Sequence, residues 1–135
     1  MSTFLEKSNQ SLESANLLAK EKLYSSTVNR AYYASLQFVL HILIKTGDDK
    51  DEIANQCKLE KKGTHIIVLN RIKRKVYKLR KYDTQYFKWF QNALPELKED
   101  RNIADYTDNV LVLEDAHNSI EKAKSIIEFL NVTFE

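Results

Sequence analysis

Residues 25–45 read SSTVNRAYYASLQFVLHILIK, and this stretch decides the fold. At about 100° per residue, Val28, Ala31, Tyr32, Ser35, Phe38, Val39, Ile42 and Leu43 fall on one broad stripe, while Tyr33, Leu40 and Ile44 fall on the opposite side. A helix that is apolar on two sides must be covered on two sides. The stretch therefore predicts a central helix, buried by the other helices or partly by a second subunit. Ser25 or Ser26 is expected to cap its start, with Gly47 supplying the left-handed residue past its end at about Lys45.

Upstream, Thr3-Phe4-Leu5-Glu6 has the spacing of a capping box and predicts a first helix from about Leu5 to Lys22. Leu5, Leu12, Ala15 and Ala19 share its apolar face, and Ser8 is the polar residue that interrupts it. Downstream, Gly47 to Gly63 is rich in Asp, Lys, Asn and Gln and holds both glycines of the chain. It is expected to be the one long connection, with room for a short helix at Asp51–Asn55. Thr64 is a candidate cap for a helix reaching about Tyr82, with Val68, Leu69, Ile72, Val76 and Leu79 as its apolar stripe. Asp83 is placed to cap a further helical region ending near Tyr106, in which Pro95 either kinks one helix or separates two. A last helix from about Leu113 to Asn131 aligns Leu113, Ala116, Ile120, Ala123, Ile127 and Leu130. The expectation is an all-α, up-and-down bundle of about five helices in one domain spanning residues 1–135.

Two glycines and one proline in 135 residues agree with long helices. The lone Cys57 has no cysteine to pair with and no CxxC or Cys/His spacing around it, so neither a disulfide nor a metal site is expected, and no cofactor is implied. The first residues lack a basic stretch followed by an apolar one, and the longest apolar run, Leu36–Ile44, is too short to span a bilayer. A cytoplasmic protein without membrane contact is the expectation. The net charge of +2 conceals a polarised distribution: Lys58 to Tyr82 carries ten Lys/Arg against the single Glu60, while the rest of the chain is net acidic by seven charges. Contact with a polyanion is expected on that one segment.

Four short motifs lie in register along nearly the whole chain. Ala15-Asn16-Leu17-Leu18-Ala19, Asn29-Arg30-Ala31-Tyr32-Tyr33-Ala34, Gly63-Thr64-His65 and Arg101-Asn102-Ile103-Ala104-Asp105-Tyr106 together resemble the stand-alone members of the HEPN family (higher eukaryotes and prokaryotes nucleotide-binding). The resemblance implies a helical bundle that dimerises and places polar residues of both subunits in a shared cleft. It also implies RNA or a nucleotide as ligand, or a nucleotidyltransferase as partner in a toxin–antitoxin or defence system. In the family's ribonuclease toxins an Arg, four to six residues and then a His do the cutting. Arg101 matches the Arg, but positions 106, 107 and 108 are Tyr, Thr and Asp.

The missing histidine has chemical weight. Cleavage through the 2′-hydroxyl needs a group that moves a proton near neutral pH, whereas an Arg clamps a phosphate but is a poor acid or base. The candidate site residues are Arg101, Asp105 and Tyr106, with Arg30, Tyr33 and His65 lining the cleft. Each has a plainer reading: Arg101 and Asp105 as an i, i+4 ion pair, Arg30 snorkelling or paired with Asp105, the tyrosines as packing, and His65 as a core or capping residue. In family members paired with a minimal nucleotidyltransferase a Tyr near the catalytic motif can be the modified residue, a role the resemblance extends to Tyr106. His41 and His117 read as incidental. Arg71, Arg74, Lys75, Lys78 and Lys81 form a basic stripe, either a solvated face or a nucleic-acid surface on which Tyr77 and Tyr82 stack bases. A homodimeric binding or regulatory module leads these readings. A metal-independent endoribonuclease using Arg101 with another acid–base group, and a purely structural dimer, are the alternatives.

Overall fold

The computed structural model describes residues 3–81 and 83–135. Among them are six α-helices and no strand: α1 Thr3–Lys20, α2 Tyr24–Lys45, α3 Lys50–Glu60, α4 Thr64–Leu79, α5 Thr84–Tyr106 and α6 Leu113–Thr133. None is long and apolar enough to cross a membrane.

α2 is the central element, packed against α1, α4, α5 and α6, as its two-sided apolar pattern requires. All eight residues of its broad stripe are buried, and Tyr33, Leu40 and Ile44 are half-buried on the other side. The α1–α2 contact is the most extensive, because small buried residues (Ala15, Ala31, Ala34) let the two backbones approach. Ser8, which interrupts the apolar line of α1, is itself buried, and its hydroxyl donates to the Ala34 carbonyl at 2.7 Å. Ser11 Oγ lies 2.7 Å from the Gln37 amide. The polar residues at this interface are thus satisfied across it, as buried polar groups must be. Between α5 and α6 Phe90 stacks on Phe129, ring centroids 4.8 Å apart, in the same core cluster as Leu94, Leu97, Ile126 and Leu130.

Six helices rather than five result from α3, which fills most of the connection expected to be a loop. Asp49 caps it, its side chain accepting from the Asp51 and Glu52 amides, and Lys61 ends it in the left-handed conformation (φ 53°). Ile53 is its one buried residue, which is why no apolar stripe announced it. Pro95 neither breaks nor divides α5, which runs through it. Proline forfeits the hydrogen bond to Gln91 and crowds its carbonyl, a cost offset by buried Leu94 and Leu97 on either side.

Several expected caps are displaced. Neither Ser25 nor Ser26 caps α2: the helix starts earlier, behind Leu23, with no side-chain cap. Thr64 is inside α4, behind Gly63. Thr3 is likewise helical rather than the residue before the helix. α1 stops at Lys20 instead of Lys22, which sits at φ 61°. Asp83 does cap α5, accepting from the Tyr86 amide, and Gly47 does leave α2 at φ 110°. Leu113 and Leu79, assigned to apolar stripes, are exposed at the ends of their helices.

α4 and α5 run antiparallel. Tyr77 near the end of α4 meets Phe87 near the start of α5, centroids 5.6 Å apart. At the other end His65, on the first turn of α4, lies beside Tyr32 and feels the charge of Lys98 on α5.

Candidate functional site: a guanidinium among three tyrosines

The last two turns of α5 face the second and third turns of α2. Spacing by four residues puts Arg101 and Asp105 on one side of α5, and Tyr106, the last residue of the helix, reaches Arg101 through its long side chain. Arg101 Nε donates to Asp105 Oδ2 at 3.1 Å, and Nη2 to the Tyr106 hydroxyl at 3.2 Å. From α2, Tyr32 and Tyr33 present their rings, so that Arg101 Cζ lies 5.5 Å from the centroids of Tyr32, Tyr33 and Tyr106 alike. The two rings of α2 meet edge to face at 5.1 Å. A planar, weakly hydrated guanidinium suits such a cage better than an ammonium would. Nη1 has no partner among the described residues.

The ion pair is anchored to α2. Asn29 Nδ2 donates to Asp105 Oδ2 at 2.9 Å, and Asn29 Oδ1 in turn accepts from Arg30 Nε and Nη2 at 3.1 and 2.9 Å. Arg30 therefore does not pair with Asp105, the alternative the sequence had left open. It reaches the carboxylate through Asn29 and covers Tyr33, with Cζ 5.0 Å from the ring centroid. Asn29 was not singled out from the sequence. A short amide inside a helix was the available signal, since Asn is a poor helix former that needs a reason to be there.

Burial alone would lower the Arg101 pKa, but Tyr33, Asp105 and Tyr106 outweigh it and raise it, so the cation is permanent. Burial, reinforced by Tyr33, pushes the Tyr32 phenol up to about 12. His65 lies one ring further along, Nδ1 3.3 Å from the Tyr32 hydroxyl, and burial followed by the Lys98 charge lowers it to about 4. Both are neutral at pH 7 and share one hydrogen bond, so His65 is joined to the cluster through Tyr32 and not placed beside Arg101.

The basic stripe of α4 is divided. Arg71 reaches Asp48 at 3.0 Å and Gln56 at 2.8 Å; Lys75 reaches Asp48 at 2.7 Å and Thr46 Oγ1 at 2.6 Å. Lys81 donates to the Thr133 carbonyl at the end of α6, at 2.9 Å. Arg74 and Lys78 are exposed. Tyr82 lies outside the described residues.

These features define a class: an all-helical bundle whose central helix and a neighbour hold a guanidinium in an aromatic, hydrogen-bonded seat. The model of the HEPN domain family matches residues 1–133, and the chain belongs to that family. No curated protein and no solved structure matches it.

Proposed function

We propose that this HEPN domain is a binding module that takes a phosphate of RNA or of a nucleotide at Arg101. It acts as a homodimer in which the two Arg101 sites share a cleft, within a toxin–antitoxin or defence pair that includes a nucleotidyltransferase. The observation that carries this reading is the Arg101 seat itself: a permanent cation, oriented by Asp105, Tyr106 and three rings, with Nη1 unpartnered among the described residues. A pre-oriented guanidinium is suited to an oxyanion.

Binding is favoured over cutting because the family's histidine is replaced by Tyr106, Thr107 and Asp108, and the imidazole joined to the cluster, His65, is lowered well below neutral by burial. His65 titrates near 4 and Tyr32 near 12. The endoribonuclease alternative draws on one feature, Asp105, which touches Arg101 and uses Oδ2 for both of its hydrogen bonds. Mixed RNA incubated with the purified protein separates the two. We expect intact RNA, retained on the protein, with retention falling about ten-fold or more in Arg101→Ala, as for loss of a charge-assisted contact. Fragments that vanish in the same variant would overturn the binding reading in favour of the nuclease. A monomeric mass by light scattering would remove the shared cleft.

A further inference from the structure

The antiparallel pair α4 and α5 carries a second set of groups that the Arg101 seat does not use. Tyr77 is 60% exposed, packs edge to face on Phe87 and has Arg80 Cζ 6.0 Å above its ring. Two hollows adjoin this pair. One, of about 430 Å³, is lined by Asn70, Lys73, Arg74, Tyr77, Phe87 and Gln91. The other, of about 270 Å³, lies between Tyr77, Arg80, Thr84 and Phe87, with Asp83 as its single acid, and that carboxylate is engaged in capping α5.

We propose that this groove is a base-stacking subsite for single-stranded RNA, distinct from the Arg101 seat and on the same helix α5 as it. Tyr77 offers an aromatic face, Lys73, Arg74 and Arg80 offer phosphate contacts around it, and Asn70 and Gln91 offer amides that hydrogen-bond a base edge. Charge selects the occupant, since the groove lies on the segment that holds ten of the chain's 21 basic residues. Unlike Arg71, Lys75 and Lys81, the side chains of Lys73 and Arg74 have no hydrogen bond or ion pair among the described residues. A duplex hides its base faces and does not fit a stacking site.

Geometry ties the two sites together. Phe87 and Arg101 are 14 residues apart on α5, about 21 Å along the axis and within about 40° around it. At the other end of α4 from Tyr77, His65 bonds the Tyr32 that cages Arg101. One strand of about six nucleotides at the stacked rise of about 3.4 Å, or fewer when extended, reaches from Tyr77 to Arg101. The ligand of the domain is then an oligonucleotide and not a mononucleotide, which deepens the proposed function and rests on it for the Arg101 end.

Fluorescence anisotropy with a labelled ten-nucleotide oligouridylate at low salt tests this on the full chain. Tyr77→Ala is expected to weaken binding by roughly ten-fold, as for loss of one stacked base, while Tyr77→Phe keeps it. A duplex of the same length is expected to bind more weakly than the single strand. Tyr77→Ala binding like wild type while Arg101→Ala is weakened would overturn the subsite and leave the Arg101 reading standing. Loss on Tyr77→Ala with Arg101→Ala unaffected would do the reverse. Equal affinity for the duplex, or Tyr77→Phe as weak as Tyr77→Ala, would overturn stacking.

Discussion

His65 and Tyr32 illustrate what a single pair of side chains adds to the site and to the fold. His65 titrates near 4 in the folded chain against 6.5 when free, so between those values the unfolded chain binds the extra proton. The stability this histidine provides is complete above pH 6.5 and is lost as pH falls toward 4. At full strength such a shift is worth roughly 3 kcal/mol, and solvent screening of a ring that is only half-buried reduces the expected loss to about 1 kcal/mol. Urea melts at pH 7.5 and 5.0 measure it: the wild type should lose about that much, and His65→Gln markedly less. Equal losses in the two proteins would assign the acid sensitivity to other groups. Single residues were also where the sequence was least complete. Arg101 and Asp105 could be paired in advance because i, i+4 neighbours share a helix side whatever surrounds them, and Tyr106 joined them through the family resemblance. The partner of Arg30 could not, because it depends on how α2 and α5 are rotated against each other, and that rotation brought Asn29, not Arg30, to the carboxylate.

At the scale of the helix, periodicity placed α1, α2, α4 and α6 to within a few residues because each has an apolar face toward the core, whereas α5 was read from its Asp83 cap. α3 escaped for want of such a face: with Ile53 buried and Leu59 84% exposed, its sequence carries almost no record of burial. What defines α3 is local, the Asp49 cap and the left-handed Lys61. Caps are in turn the weakest part of the sequence reading elsewhere, since any Ser or Thr near a helix start qualifies. At α2, Thr27 instead turns its hydroxyl back onto the Leu23 carbonyl at 3.0 Å, inside a helix already begun. Asp49→Ala should therefore act on α3 alone. Loss of an N-cap costs about 1 kcal/mol. The expected result is about five-fold faster amide exchange across Lys50–Glu60 with little change in protection of α2. Protection lost throughout the chain would mean that α3 is an integral part of the core.

For the whole molecule, the separation of charge was evident from composition, but composition does not tell which cations the fold consumes. Asp48, just past the end of α2, takes two of them. Burial alone would raise its pKa, yet the hydrogen bonds from Lys75 and Arg71 prevail and hold it below the usual carboxylate value. Arg71 and Lys75 thus fasten α4 to the exit of α2, and Lys81 fastens the α4–α5 turn to the end of α6, where a cation also meets the negative end of the helix dipole. The basic face divides into cations that hold the bundle together and cations, among them Lys73, Arg74 and Arg80, available to a phosphate chain. The two sets should behave oppositely. Arg71→Ala is expected to lower stability by about 1 kcal/mol, as for a part-buried ion-pair network, with RNA affinity unchanged. Arg74→Ala should leave the urea midpoint in place and weaken RNA binding. Salt titration gives the sharper reading. If Lys73, Arg74, Arg80 and Arg101 each neutralise one phosphate, log K should fall with log salt at a slope near −3, from about 0.7 per contact on a single strand. Removing Arg74 should make that slope shallower by about 0.7, whereas removing Arg71 should not alter it. A slope that responds equally to both would mean that Asp48 releases Arg71 to the ligand, and the division of the stripe would fail.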